Sequence, residues 1–344
     1  MSLSDAVAIF GDVIARNCVE ISRDPCSLDT NGWWAVTQSF EGEFIAYRFS
    51  DIAPYTAPEL GDFTAITRDS WTSSMSQVEY ETAVATIRED IARGWVYQAN
   101  LCRVLSTELN QPINGLALWQ ALCRHNPAPH AGYLFVPEHE DHPRVEVMCA
   151  SPELFLKRSG NVIMSSPIKG TAPSHELLLD KDSSENIMIV DLVRNDMSHV
   201  AIPGSVVVQE LLRLEDHPGL VHLVSDVVGE VPSDISWRDL LDGLTPPGSV
   251  SGAPKSSALE VIGRLEPTSR GIYCGAFGWV NANEQQASLA VGIRTFWQTI
   301  HGDAASLHFG TGAGITWGSD PTNEWNETEL KANNLLNIVA KVAK

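Results

Sequence analysis

Basic charge is what this sequence has least of. Its 344 residues carry 23 lysines and arginines against 43 aspartates and glutamates, a net charge of -20 at pH 7. Such a chain repels polyanions, which argues against nucleic acid as a partner. The same field repels small anions, so an anionic substrate needs a local cationic site or a metal ion. Long apolar runs are also missing. None approaches the roughly 18 residues of a membrane span, and no signal-peptide pattern opens the chain, so no membrane partner is expected. The cysteines, at 18, 26, 102, 123, 149 and 274, form no CxxC pair. That spacing speaks against zinc sites and a disulfide scaffold, and a reduced, cytoplasmic setting is the expectation. No internal repeat and no low-complexity linker interrupts the sequence.

What is present is a run of strand patterns with long helices between and after them. Residues 32–49 read as strands around an EGE turn, and 94–109 as another strand. Residues 76–95 read as an amphipathic helix carrying Val78, Ala83, Ile87 and Ile91 on its apolar side. Further helices are predicted over 116–126, 183–200, 236–242, 254–264 and 321–343. Further strands are predicted over 205–212, 274–282, 288–299 and 305–311, and residues 145–171 read as two long strands around one turn. Strands in runs with helices outside them predict an α+β architecture of large, mainly antiparallel sheets.

Several residues in this frame carry chemistry. "SSPIKGTAPS" (165–174) places Lys169 in a small, apolar stretch. A lysine is by default a solvated surface charge. A three-residue loop, Arg158-Ser159-Gly160, would set Lys157 opposite Asn161 and Cys149 opposite Lys169, leaving Glu153 and Lys169 on one face of the ribbon. In a closed site that pair divides into a proton donor and an amine nucleophile; in an open one it is a surface salt bridge. Asp182 with Glu185, and Glu324 with Glu327, lie three apart on two predicted helices, the second capped by Asp320 and opened by Pro321. Two such carboxylate pairs could hold a hard cation such as Mg2+, although acidic residues also favour helix starts because of the dipole. "PPGSVSGAPK" (246–255) and "GTGAG" (310–314) match no nucleotide-binding signature and read as tight turns. His222 lies in an apolar run, the usual setting of a core histidine. Arg294, in an otherwise apolar strand, needs a carboxylate partner from protein or substrate.

Taken in order, "YQANL" (97–101), "SPELFL" (151–156), "PIKGT" (167–171), "ENIMIVDLVRND" (185–196), "VHLVSDVVGEV" (221–231), "PPGSVSGAPK", "RGIYCGAFGW" (270–279), "VGIRTF" (291–296) and "GAGITWGSDPTNEWNET" (312–328) with Lys331 resemble the chorismate-utilising enzymes. The resemblance implies one catalytic domain over residues 1–344, its core motifs over about 75–344 and a shortened N-terminal part over about 1–74. It implies two large antiparallel sheets packed as a sandwich, with helices outside and the site in a cleft. Lys169 stands where anthranilate synthases have alanine in "PIAGT". Gln98 stands where isochorismate and salicylate synthases carry a lysine base. The combination resembles the aminodeoxychorismate synthase component I type.

That type implies Mg2+ on Glu185 and Glu327, with Asp182 and Glu324 close by. It implies Lys169 as nucleophile and Glu153 as acid, with His222 counted among the catalytic residues. Tyr273, Arg294, Gly312, Gly314 and Lys331 are implied around the substrate carboxylates, with Gln98, Gly170, Thr171, Ser249 and His222 lining the site. It also implies chorismate as substrate, ammonia from a glutamine amidotransferase subunit, and a downstream lyase that completes 4-aminobenzoate for folate biosynthesis. The sequence carries no cysteine in an amidotransferase elbow, no recognisable tryptophan-binding segment near its start, and Ser249 and Ser251 where threonines are common. Two other readings stand beside this one: anthranilate synthase component I, and a non-catalytic metabolite-binding protein on the same fold.

Overall fold

A computed structural model describes residues 2–140, 142–172, 174–178, 180–217, 220–301 and 304–341. Among them, eighteen strands hydrogen-bond into one network in which every pairing is antiparallel. Sixteen follow a single path. It runs from Thr72–Ser73 through Gln98–Leu109, Ala304–Ile315, Thr295–His301, Val145–Ser151 and His130–Val136 to Val7–Phe10. It continues through Val13–Ser22, Phe44–Pro54, Trp33–Gln38, Ala276–Asn281, Gln286–Val291, Leu154–Ser159, Val162–Ser166 and Leu220–Glu230 to Val207–His217. Two short strands flank the ends: Gly252–Ala253 on Gln98–Leu109, and Ile168–Ala172 on Leu220–Glu230.

The path folds back on itself, so its halves form two facing antiparallel layers. Phe10 of the first half packs on Phe277 of the second with ring centroids 5.1 Å apart. Gly132 leaves room for both rings, since a Cβ there would come within 2.5 Å of Phe10 and 3.0 Å of Phe277. Leu134, Val147 and Cys149 share this core with Ala35 and Tyr47. Six helices of eight or more residues cover the outside: α1 (Gln77–Ala92), α2 (Gly115–His125), α3 (Asp180–Ser198), α4 (Trp237–Leu244), α5 (Lys255–Leu265) and α6 (Pro321–Val339). α1, α2, α5 and α6 pack on the first half, and α3 packs on strands of the second.

The local sequence explains the helix ends. Ser76 and Glu79 form a reciprocal capping box at α1. Asp320 accepts from the backbone N–H of Asn323, and Pro321 occupies the first turn of α6. The apolar face of α1 comprises Tyr80, Ala83, Val84 and Ile87, while Val78, expected among them, is exposed.

Four expectations change. Residues 145–172 form four strands, and the turn after Ser159 is the two-residue Gly160-Asn161, with Ser159 opposite Val162. Gly160 adopts a positive φ there. Cys149 pairs with Gly132 and Thr295, and Lys169 lies in a strand paired with Leu220–Glu230. A bulge between Met164 and Ser166 shifts the register by one residue, and Glu153 and Lys169 come close enough for their charges to act on each other. The predicted strand over 288–299 is broken at Gly292–Arg294: a Cβ at Gly292 would lie 2.1 Å from the Ile272 carbonyl oxygen, and Arg294 has φ +50°. Finally, "GTGAG" is the interior of the strand Ala304–Ile315, not a turn.

Candidate active site

The floor of the site is a strip without side chains. Gly310, Gly312 and Gly314 alternate along Ala304–Ile315, so they share one face. A Cβ at Gly310 would lie 2.0 Å from Cγ of Tyr273, and one at Gly314 would lie 2.6 Å from Nε2 of Gln98 and 3.5 Å from Nζ of Lys169. The glycines therefore permit a close approach. Gln98 and Gly314 belong to one end of the strand path, whereas Lys169 comes from the other.

Glu153 lies opposite them in chemistry. It is 4% exposed, and burial pushes its carboxyl up to about 7 despite the Ser249 side chain, the Lys169 ammonium and the Ile168 backbone N–H pulling it down. Burial holds the half-buried Lys169 below its ordinary range, Lys331 adds to the effect, and Glu153, Glu185 and Glu327 oppose it. The two groups attract each other, yet desolvation outweighs that attraction at both. A carboxyl that keeps its proton near neutrality can donate it, and an amine that loses its proton more readily can attack carbon.

Glu324, Glu327 and Lys331 lie on α6. Lys331 Nζ stands 2.7 Å from Glu327 Oε1 and donates to the Gly312 carbonyl at 3.1 Å. Glu324 is buried. Glu185 lies on α3, so two helices deliver carboxylates to the field of Lys169. Among the described residues no three His, Cys, Asp or Glu side chains cluster tightly enough to hold a metal, and the side chains of Asp182 and Thr171 lie outside the described part. Two oxygen donors nonetheless suit Mg2+, which usually takes one or two protein carboxylates and completes its shell with substrate and water.

Arg294 sits where the chain passes between strands, its carbonyl accepting from Ala150 N–H at 3.1 Å. Three residues earlier, Val291 N–H donates to the Glu153 carbonyl at 3.0 Å. The Arg294 guanidinium has no hydrogen-bond or ion-pair partner among the described residues, and burial alone depresses its pKa. His222 is 1% exposed and faces Thr171 and Glu215 in register. Gly170, with φ +85°, turns the chain directly after Lys169. Tyr273 is brought to the glycine strip but not to Lys169. Its ring covers Gly310, about 13 Å along the strand from Gly314, and its hydroxyl lies 3.9 Å from Cys102 Sγ.

Sequence reasoning missed the residues that hold this site together. Asn100 donates through Nδ2 to Ser249 O at 3.0 Å and through its backbone N–H to Ser251 O at 2.8 Å. Arg270, 1% exposed, bonds Glu266 at 2.6 and 2.8 Å, Val250 O at 2.8 Å and Asn100 O at 2.9 Å. Lys255 pairs with Asp196 at 2.8 Å, tying "PPGSVSGAPK" to α3. The i,i+4 spacing of Glu266 and Arg270 was a readable signal for an ion pair; nothing local pointed to the carbonyl partners.

Comparison with known proteins places this geometry. The sequence profile described as chorismate binding enzyme matches residues 46–337. Anthranilate synthase component 1 of Streptomyces coelicolor is 35% identical over 285 residues, 79% of this chain and 53% of that protein. Aminodeoxychorismate synthase component 1 of Klebsiella aerogenes is 34% identical over 350 residues, 95% of this chain and 73% of that protein. The chain thus spans about half the length of the first of these relatives. A solved anthranilate synthase component I from Streptococcus pneumoniae superposes with a TM-score of 0.74 at 21% identity, over 96% of this chain and 89% of that one, a likeness of fold.

Proposed function

Because the chain belongs to the chorismate-binding enzyme family, we propose that it is the ammonia-using component of an aminodeoxychorismate synthase, converting chorismate to 4-amino-4-deoxychorismate. The observation that carries this reading is Lys169, half-buried beside the buried carboxyl of Glu153 and against the floor at Gly314. Identity does not choose between the anthranilate and aminodeoxychorismate types, since both kinds of relative match about equally. Lysine in "PIKGT" supports the aminodeoxychorismate type, because an alanine there offers no nucleophile.

In this mechanism the neutral amine of Lys169 forms a bond to C2 of the ring. The ring double bond shifts, and the C4–oxygen bond breaks as Glu153 delivers its proton, so water leaves. Ammonia then bonds to C4, the double bond shifts back, and the C2–nitrogen bond breaks. Lys169 is regenerated, one proton of the attached ammonia returns to Glu153, and the sum is chorismate plus ammonia to 4-amino-4-deoxychorismate plus water. Arg294 and Lys331 seat substrate carboxylates. Gln98, which is neutral, offers no base to activate water. Glu185 and Glu327 would hold Mg2+, with Glu324 and Asp182 nearby, and the ion when bound supplies positive charge to a substrate carboxylate in an otherwise acidic protein. A glutamine amidotransferase subunit would supply the ammonia, and a separate lyase would release pyruvate to give 4-aminobenzoate.

Intact mass spectrometry after mixing with chorismate and Mg2+, without ammonia, tests the nucleophile. A ring adduct is expected on the wild type and none on Lys169→Ala. With ammonium added, the product should need a lyase to become 4-aminobenzoate. Fluorescent anthranilate formed without a lyase would instead establish the anthranilate type. EDTA should abolish turnover, and full activity in EDTA would remove the metal from this account.

A further inference from the structure

The strand Leu220–Glu230 meets an irregular pairing on each side, one at Leu223 and one at Ser225. On one side Ile168 pairs with Val224 and Thr171 with His222, so Lys169 and Gly170 together oppose Leu223 alone. On the other side Glu210 pairs with Asp226 and Arg213 with Val224, so Leu211 and Leu212 together oppose Ser225 alone. Each is a bulge of two residues against one, and Gly170 and Leu212 take positive φ angles of +85° and +56° within them. The first bulge carries the nucleophile proposed above. Side chains alternate across a strand, so a slip of one residue there would turn Lys169 to the other face.

A regular ladder fixes its own register, whereas a bulge leaves main-chain groups without ladder partners. One side chain of α3 takes up that role. Asn186 and Ser225 are both wholly buried. Asn186 Nδ2 donates at 2.9 Å to the carbonyl of Leu223, the residue opposite the first bulge. Asn186 Oδ1 accepts at 2.6 Å from the hydroxyl of Ser225, the residue opposite the second. The same hydroxyl accepts from the backbone N–H of Leu212 at 2.9 Å. The Ser225 N–H donates to the carbonyl of Pro167 at 3.2 Å, two residues before Lys169. A serine hydroxyl has one proton to give. Here that proton goes to Asn186 while a lone pair holds Leu212. The bonds therefore run in one direction, and they join α3 to the strand Leu220–Glu230 and to the chain on either side of it.

We infer that Asn186 and Ser225 are positioning residues for Lys169: the pair locks both bulges and so holds the amine against the Gly314 floor, where a Cβ would lie 3.5 Å from Nζ. The inference rests on the reading of Lys169 as nucleophile and extends it. Neither residue takes part in the reaction. Asn186 directly follows Glu185 in α3, so one turn of helix serves both a carboxylate near the amine and the aim of the amine itself.

The test reads the setting of Lys169 apart from turnover. Competitive acetylation of the full chain with Mg2+ over a pH series, followed by peptide mass spectrometry, compares Lys169 with the exposed Lys157. In the wild type Lys169 should become reactive at lower pH than Lys157. In Ser225→Ala and in Asn186→Ala its profile should move toward that of Lys157 as the amine swings into water. The rate of adduct formation with chorismate should fall about tenfold in both, the kind of loss expected when a reacting group is displaced. Ile189→Val is the control. It loosens the buried packing of α3 without touching the pair, and should keep the wild-type profile and adduct rate. Ser225→Ala removes a single oxygen atom and keeps the test open should Asn186→Ala not fold. A wild-type profile like that of Lys157 would overturn the inference. So would an unmoved profile in Ser225→Ala, or one that moves as far in Ile189→Val. Absence of an adduct on the wild type would instead overturn the nucleophile, with the positioning still decided by the acetylation profiles.

Discussion

Buried Arg270 and half-buried Arg294 could hardly be more differently provisioned. Around Arg270 every guanidinium nitrogen has a partner: Glu266 takes two donors, the carbonyls of Val250 and Asn100 take one each, and Phe40 lies under the guanidinium with its centroid 4.1 Å from Cζ. Around Arg294 no protein group among the described residues takes any. A fully paired buried charge braces the structure. An unpaired one is costly until something else arrives. The region near Arg270 is built for permanence, and the region near Arg294 is built for a visitor.

Substitution separates the two. Arg270→Met leaves Glu266 buried without its counter-charge and should cost about 3–5 kcal/mol of stability in denaturant titration. Arg294→Met removes an unsatisfied charge, so its melting temperature should hold or rise. Its kcat/KM for chorismate should fall by about 10^2- to 10^3-fold, as for the loss of one member of a buried charged contact. Wild-type kinetics in Arg294→Met would put it in the same class as Arg270.

Glu153 sharpens the contrast through pH. Its carboxyl titrates at about 7 in the folded chain and near 4.5 when unfolded. Between those values the folded state holds a proton that the unfolded state has released, so stability falls as pH rises through this window. Metal-free Glu153→Gln should match the wild type below pH 4.5 and gain on it by on the order of 2–3 kcal/mol by pH 8. Adduct formation in the wild type should decline over the same rise, because the donor loses its proton. A stability difference that does not vary with pH would show that Glu153 is not held protonated.

The smallest effect concerns the floor. Gly314→Ala pushes a methyl toward Gln98 and Lys169 and should lower kcat about tenfold through misplacement. Gly318→Ala, with nothing within 4 Å of the added carbon, should stay within about twofold of wild type. Equal behaviour of the two would mean that the close approach at Gly314 is without consequence.

How much of this was legible in the sequence depended on how local each feature is. Asp320, Pro321, Glu324 and Glu327 act within one or two turns of one helix, and the spacing alone placed them correctly. Glu153 and Lys169 were expected near one another through a register that is not the one formed, and they do lie within reach of each other's charge. The actual arrangement uses a two-residue turn and a bulge between Met164 and Ser166, and both are set by pairing with Leu220–Glu230, far along the chain. Arg294 was read as a strand residue because the run around it is apolar. The break comes from the backbone of Gly292 pressing against Ile272 and Gly275, a contact that no window of neighbouring residues contains. The motifs in fixed order carried the family where single signals were ambiguous.

The strand path described above has two ends, and Lys169 belongs to one while Gln98 and Gly314 belong to the other. No local element of the chain contains the reaction centre. Closure must bring together segments distant in sequence, a class of topology whose folding is slow because loop entropy is lost before the distant contacts reward it. A partly folded chain then has an ordinary lysine and an ordinary carboxylic acid, each solvated and inert toward the ring. The adduct proposed above would thus serve as a clock for the completion of folding: during refolding, mass-shifted molecules would count those whose two ends have met.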